Sequence, residues 1–359
     1  MTSVFPPSYA QARHDFRSEA AGRGAVQRSF PLPGHRGPDG GSLSVDTAYL
    51  GPERPDKLLV TVSGTHGIEG FAGSACQTRV LLGEGLVGAA DPTLGFLLVH
   101  ALNPYGFAFQ RRVNEENVDL NRNFVDHDAP PHNDAYDQVH PALLDGTGTP
   151  SSDFVARLRD LVGSLGLRAF QEAVSHGQYR HDDGLFYGGI APAWSHRVLR
   201  GIVAEQVAGV PRIGYIDLHT GLGERGVGEP IFRGGRDPGA RGRARDWYGS
   251  ELTDSDEGTS SSTPIVGNTA TAVADGLTRG EELTAITLEF GTLPAQEVLL
   301  ALCADNWLHL GLDPVAAFRA REKQLIRAAF CPDDDMWRKQ VLHRAREVFV
   351  QAVAGLADA

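Results

Sequence analysis

Residues 213–221 read IGYIDLHTG, an apolar run of strand length that stops at a glycine and carries His219 just before it. Three other stretches repeat this layout. DKLLVTVSGTHG (56–67) holds a strand from Leu58 to Val62 broken at Gly64, GFLLVHALNP (95–104) ends in a turn, and LTAITLEFG (283–291) ends in a glycine. Short apolar runs bounded by turn residues are what strands buried on both faces produce. Between them the pattern becomes helical. Tyr9, Ala12 and Phe16 recur at three-to-four spacing within 8–21, helix-like sequence covers Ser74 to Leu82 and 151–174, and the tail from Ala295 to Ala359 is mostly helical. SLSVDTAYLG (42–51) alternates as an edge strand does, following Gly- and Pro-rich residues at 31–42. Buried strands interleaved with helices predict a layered α/β fold.

A chain of 359 residues with 41% apolar content has enough material for a sizeable core. No linker separates two halves of different composition, and the chemically interesting segments run from about residue 60 to residue 292. One catalytic domain over 1–359 is therefore expected, with an insertion at 126–200 and a mostly helical part at 295–359. A net charge of −12 argues against a nucleic-acid binder, although a local basic pocket can sit inside an acidic surface. The three cysteines, Cys76, Cys303 and Cys331, are too few and too scattered for a disulfide framework or a cysteine zinc knuckle, so buried thiols in a reduced compartment are expected. The N-terminus lacks a basic start and apolar run, and no stretch reaches the roughly 18 apolar residues of a membrane span. The expectation is a soluble, cytoplasmic protein without nucleic-acid or membrane partners; the oligomeric state stays open.

Three of the strands end on residues with chemical potential: His66 and Glu69, His219, and Glu289. In open α/β sheets ligands bind at the carboxyl ends of strands, which is a physical reason to group these residues. His66 and Glu69 sit three apart on the turn GTHGIEG, and imidazole with carboxylate suits a zinc ion. Chance produces such pairs too, and a turn histidine beside a salt-bridged glutamate is the competing reading. A distant third ligand, His219, would leave one metal position open, as a hydrolase needs. Glu289, at the end of an apolar strand, requires a partner: a metal-bound water or a nearby arginine. NPYGFAFQRRVNEENVDLNRNF (103–124) gathers Arg111, Arg112, Asn114, Asp119, Asn121 and Arg122, a set suited to a carboxylate or to a solvated loop.

Taken in order, GTHGIEG, NP–G with VDLNRNF, DLHTG and LEFGT resemble the zinc carboxypeptidase superfamily, which includes carboxypeptidase A-type peptidases and the succinylglutamate desuccinylase and aspartoacylase deacylases. SYAQAR, SGTHGIEGFAGSACQ and GLFYGG further resemble an uncharacterised, mostly bacterial branch of it. The resemblance implies a three-layer α/β/α fold with a mixed, largely parallel central sheet and one zinc ion per chain on His66, Glu69 and His219, although other divalent ions suit the same donors. It implies Glu289 as general base and acid, Asp119 as the carboxylate orienting a ligand histidine, and Asn121 with Arg122 as the grip on the substrate's free carboxylate. Arg112 matches the arginine that stabilises the oxyanion, with Arg111 one position away as the alternative. Tyr187 and Tyr248 are candidates for a tyrosine that closes over substrate, and GLFYGG (184–189) for a substrate loop. The implied reaction is removal of a C-terminal residue from a peptide; deacylation of an N-acyl amino acid is the alternative, and a non-catalytic binding protein that kept the fold is a third. His176, His181 and His196 also cluster in sequence, and Asp333 to Asp335 read as solvated surface.

Overall fold

The computed structural model describes residues 5–84, 86, 91–144, 148–234, 237–278 and 280–358. Seven strands form one sheet: β1 (Val26–Arg36), β2 (Ser42–Leu50), β3 (Lys57–Ser63), β4 (Leu94–His100), β5 (Arg212–Arg225), β6 (Gly228–Phe232) and β7 (Glu282–Gly291), in the order β1-β2-β4-β3-β5-β7-β6. The four central strands, β4-β3-β5-β7, are mutually parallel, and antiparallel partners close both sides: β2 on β4, β1 on β2 and β6 on β7.

Strand side chains alternate between faces, and each face has its own core. Leu59, Phe96, Leu98, Ile216, Leu218, Ile286 and Leu288 enter one apolar cluster, together with Phe16, Phe71, Trp337 and Phe349 from the helices Tyr9–Gly22, Gly70–Ala75 and Asp335–Asp358. Leu58, Val60, Val62, Leu97, Val99, Tyr215 and Ala285 enter the other, covered by the helices Trp194–Gln206 and Thr269–Gly276. Helices on both faces of a mixed sheet make the α/β/α sandwich. The parity also fixes the chemistry: Asp217, His219, Thr287 and Glu289 all fall on the second face.

The first helix begins at Tyr9 because Ser8 Oγ accepts from Gln11 N at 3.2 Å, an N-cap. Its buried stripe is Tyr9, Ala12, Phe16 and Ala20, and the Tyr9 hydroxyl donates to Ser44 O at 2.9 Å, tying it to β2. β2 is not the edge strand its alternation predicts. β1 lies outside it, mostly solvent-facing, and contains Pro31 and Pro33, which an edge tolerates because their missing N–H groups leave no ladder bond broken. With little to bury, β1 carries no apolar period to read. Residues 126–144 are likewise not wholly irregular, since Asp134–Leu144 is a helix, and 151–174 divides into the helices Ser152–Leu165 and Leu167–Ser175 at Gly166, whose φ is +84°. Beyond β7 run four helices, Ala295–Gly311, Pro314–Arg319, Lys323–Phe330 and Asp335–Asp358. The three cysteines are buried and unpaired. Among the described residues no helix is long and apolar enough to cross a membrane.

Candidate metal centre and its cavity

The turn after β3 is possible only because it has no side chains where it meets its neighbour. A Cβ on Gly67 would lie 2.0 Å from the carbonyl carbon of Gly106, and Gly64 has φ +65°. Main-chain bonds clamp the two segments, Gly67 N to Arg112 O at 3.1 Å, Ile68 N to Arg111 O at 2.8 Å and Asn103 N to Gly64 O at 2.8 Å. This clamp carries Arg112 to Glu69. Across the sheet, register pairs Asp217 with Thr287 and His219 with Glu289 on adjacent parallel strands, so this histidine and this carboxylate stand side by side.

His66, Glu69 and His219 are buried, and one potential ligand atom from each lies within 4.8 Å of the others. His66 Nδ1 is 2.8 Å from Glu69 Oε1, His219 Nδ1 is 2.8 Å from Glu69 Oε2, and the two Nδ1 atoms are 3.1 Å apart. Each ring's far nitrogen meets a different carboxylate: His66 Nε2 lies 3.0 Å from Asp119 Oδ1 and His219 Nε2 2.9 Å from Asp217 Oδ2. A carboxylate on Nε2 fixes the proton there and leaves the Nδ1 lone pair for a cation. Asp217 is itself held, accepting from Thr65 Oγ1 at 2.8 Å and Thr269 Oγ1 at 2.6 Å.

Charge makes the same demand. Burial disfavours a positive His219, yet Asp217 and Glu69 outweigh it and raise its pKa to about 10. Burial pulls the Glu69 pKa up, and His66 with His219 reverses this and holds it well below the usual carboxylate range. Three carboxylates, Glu69, Asp119 and Asp217, surround the rings, and Arg112 reaches two of them, with Nη1 3.3 Å from Glu69 Oε1 and Nε 3.0 Å from Asp119 Oδ2. Two ring nitrogens that face each other across a carboxylate, inside an excess of negative charge, fit a divalent cation.

This cluster forms one end of a cavity of about 350 Å³. Its polar lining includes Arg112, Asn121, Arg122, Arg233, Thr287 and Glu289, and an apolar wall comes from Leu158, Val162, Phe170, Val174, Leu299 and Leu302. Glu289 is 8% exposed, and its Oε1 accepts from Leu222 N at 3.0 Å. Burial first and the Glu69 charge second raise its pKa to about 7. Among the described residues no arginine or lysine nitrogen lies within 4.0 Å of its carboxylate; Arg233 acts on it only at longer range. Arg122 donates Nε to Ser175 O at 3.1 Å and Nη1 to Asn121 O at 3.0 Å, and burial lowers its pKa to about 10. Asn121 Nδ2 lies 3.3 Å from His219 Nε2 while its Oδ1 accepts from Thr269 N at 3.1 Å.

Some expected residues are elsewhere. Arg111 points away from the cavity, its Nε 3.5 Å from Asp305 Oδ2 and its Nη2 donating to Asn117 Oδ1 at 2.9 Å. The clamp explains why: consecutive residues leaving it project to opposite sides, so only Arg112 reaches Glu69. Tyr187 and Tyr248 do not line the cavity either; Tyr248 closes the helix Ala240–Tyr248 in the core. From the GLFYGG loop it is Phe186 that enters, held at φ +54°, with the guanidinium carbons of Arg112 and Arg122 at 5.1 and 5.5 Å from its ring centroid. A bulky residue in the left-handed region is strained and recurs at functional sites. His176, His181 and His196 meet three different partners: Pro264 O, Asp137 and Asn123. Asp217, Phe186 and Arg233 were not singled out from sequence. Asp217 had a readable signal, standing two residues before His219 and so on the same strand face. Phe186 and Arg233 had none.

A sequence model of the family described as "Protein of unknown function (DUF2817)" matches residues 5–344. No curated protein matches the chain. Among solved structures, the chain is similar to carboxypeptidase A from Helicoverpa armigera at 12% identity, with 86% of this chain and 73% of that chain covered and a TM-score of 0.43. It is similar to bovine thrombin-activatable fibrinolysis inhibitor at 11% identity, covering 95% and 98% with a TM-score of 0.44. The ectoine utilization protein EutE from Ruegeria pomeroyi is similar at 14% identity, covering 80% and 67% with a TM-score of 0.37.

Proposed function

The chain belongs to the DUF2817 family of proteins of unknown function, and we propose that it is a zinc-dependent hydrolase of an amide bond next to a free carboxylate. The observation that carries this reading is the meeting, in one cavity, of the His66–Glu69–His219 donors, the buried Glu289 and the guanidinium groups of Arg112 and Arg122. Two imidazoles and one carboxylate are a donor set of catalytic zinc sites, which keep a further position open. When bound, the metal supplies Lewis-acid polarisation of the scissile carbonyl and makes water more acidic.

The chain's own groups do the rest. Glu289 sits in a buried, partly apolar setting that raises its proton affinity, so it accepts a proton from the attacking water and returns it to the leaving amine. Arg112, anchored on Glu69 and Asp119, faces the oxyanion that forms at the carbonyl. Arg122 and Asn121 hold the neighbouring carboxylate and fix the amide against Glu289. Asp119 and Asp217 keep both imidazoles in one orientation and tautomer.

On this reading the enzyme is a metallocarboxypeptidase that removes a C-terminal residue. An N-acyl amino acid is the second substrate class, favoured by a cavity whose volume falls in the range of small-molecule sites. Purified protein assayed on both classes separates them. Glu289→Gln should retain its metal and lose about 10²–10⁴ in turnover on whichever class is cleaved; wild-type turnover in that variant would overturn the assignment.

A further inference from the structure

Arg233 follows β6, and its main-chain N–H donates to Ala285 O of β7 at 3.0 Å. From there the side chain reaches the cavity in company unlike that of Arg112 and Arg122. Its Nε donates to Thr287 Oγ1 at 2.9 Å, its Nη1 to Ser255 Oγ at 3.1 Å and its Nη2 to Ser262 Oγ at 3.4 Å. All three partners are neutral hydroxyls, and among the described residues no carboxylate oxygen lies within 4.0 Å of it. Glu289, Asp217, Glu229 and Asp254 act on it only at longer range. Arg112, by contrast, holds two carboxylates, and Arg122 spends donors on two carbonyls.

A guanidinium has five N–H groups and no acceptor, and taking its charge out of water is costly unless an anion meets it. Burial accordingly depresses its pKa. The hydroxyls orient the fork without neutralising it, and Ser261, Ser262 and Thr263 line the cavity beside it. Thr287 stands two residues before Glu289 on the same face of β7, about 7 Å away along the strand. An anion on Arg233 would therefore lie within one small molecule's reach of the bond that Glu289 faces.

We propose that Arg233, with the hydroxyls of Ser262 and Thr287, is a second carboxylate subsite, and that the substrates are amides carrying two carboxylates, one on Arg122 and one on Arg233. The identity of the cleaved bond rests on the hydrolase reading; the double-anion recognition does not. The second carboxylate has two chemical sources, an acidic side chain on the leaving amino acid or a dicarboxylic acyl group.

Calorimetric titration of the metal-loaded protein with glutarate and with butyrate tests this directly. Wild type should bind glutarate at least about tenfold more tightly, the scale of one charge-assisted bond. Arg233→Gln should abolish that difference with metal content unchanged. Because Arg233 also ties the 253–263 segment to β7, Arg233→Lys, which keeps the charge, should retain part of the preference. Equal binding of the two acids by wild type, or an undiminished preference in Arg233→Gln, would overturn the subsite. Turnover of N-acetylglutamate against N-acetylglutamine, and of N-succinylalanine against N-butyrylalanine, identifies the source, since one pair should lose its discrimination in Arg233→Gln. A glutarate preference that depends on Arg233, without cleavage of any of these amides, supports the subsite and counts against the hydrolase reading alone.

Discussion

Two groups of histidine and carboxylate come within ligating distance among the described residues, His66–Glu69–His219 and His140–His181–Asp183, and they share little beyond donor type. In the first, the rings stand edge to face at 4.8 Å and 67°, and both Nδ1 atoms lie 2.8 Å from the Glu69 carboxylate. In the second, the rings lie 3.8 Å apart and tilted by 31°. The first has Asp119 and Asp217 behind its rings. The second spends its carboxylates differently: Asp137 is shared between His181 and Arg180, and Asp183 is 45% exposed at its side chain. Donor count does not make a metal centre; ring orientation, burial and the carboxylates that fix each tautomer do.

That contrast can be broken or sharpened by experiment. The largest effect is expected at the first group, where His219→Ala should reduce bound zinc from about one per chain to near none. Asp217→Asn leaves every ligand in place and should still cost about 10- to 100-fold in metal affinity. Full affinity in Asp217→Asn, measured by competition with a chelating dye, would mean that the carboxylate behind the ring is idle.

A smaller effect is expected where histidines have only neutral partners. His100 is fully buried, stacked on Phe16 at 4.4 Å with Ser74 Oγ 2.9 Å from its Nε2, and burial lowers its pKa to about 4. The folded state therefore resists its protonation while the unfolded chain, with a pKa near 6.5, accepts it. The contribution to stability is complete above pH ~6.5 and is lost as pH falls toward 4, to a limit of about 3 kcal/mol. Chemical denaturation of metal-free protein across that window should show the loss, and His100→Gln should flatten it. An equal slope in both proteins would assign the acid sensitivity to other groups. The smallest effect belongs to the second cluster: His140→Ala and His181→Ala together should leave zinc content unchanged, and loss of metal in that double variant would erase the distinction drawn above.

The buried strands of the central sheet were legible because each is apolar on both faces and ends at a glycine or turn: Leu58 to Val62, 213–221 and 283–291 fall on observed strands, and 95–104 does so up to His100, where the turn begins. β1 was not, since an exposed edge with two prolines has no pattern to display. The same division runs through the site. His66, Glu69, His219 and Glu289 lie in short motifs at strand ends, and the fold brings all four to one cavity. Arg111 and Arg112 are identical in type and adjacent in sequence, so no local rule could say which enters; the main-chain clamp between Gly67 and Arg112 decides it. Tyr187 was a reasonable choice from GLFYGG, yet the left-handed backbone at Phe186 turns that residue inward instead.

The sequence by itself determined the buried central strands and the candidate donors, because burial, glycine and ligand type are local properties that a short motif can carry. The tertiary structure alone decided which groups keep company: Asp217 behind His219, Phe186 under two arginines, and Arg233 bonded to three hydroxyls, with no carboxylate oxygen within 4.0 Å among the described residues. The physical reason is that charge and hydrogen bonding act over a few ångströms in space, between residues as far apart in the chain as His66 and His219, 153 positions from one another.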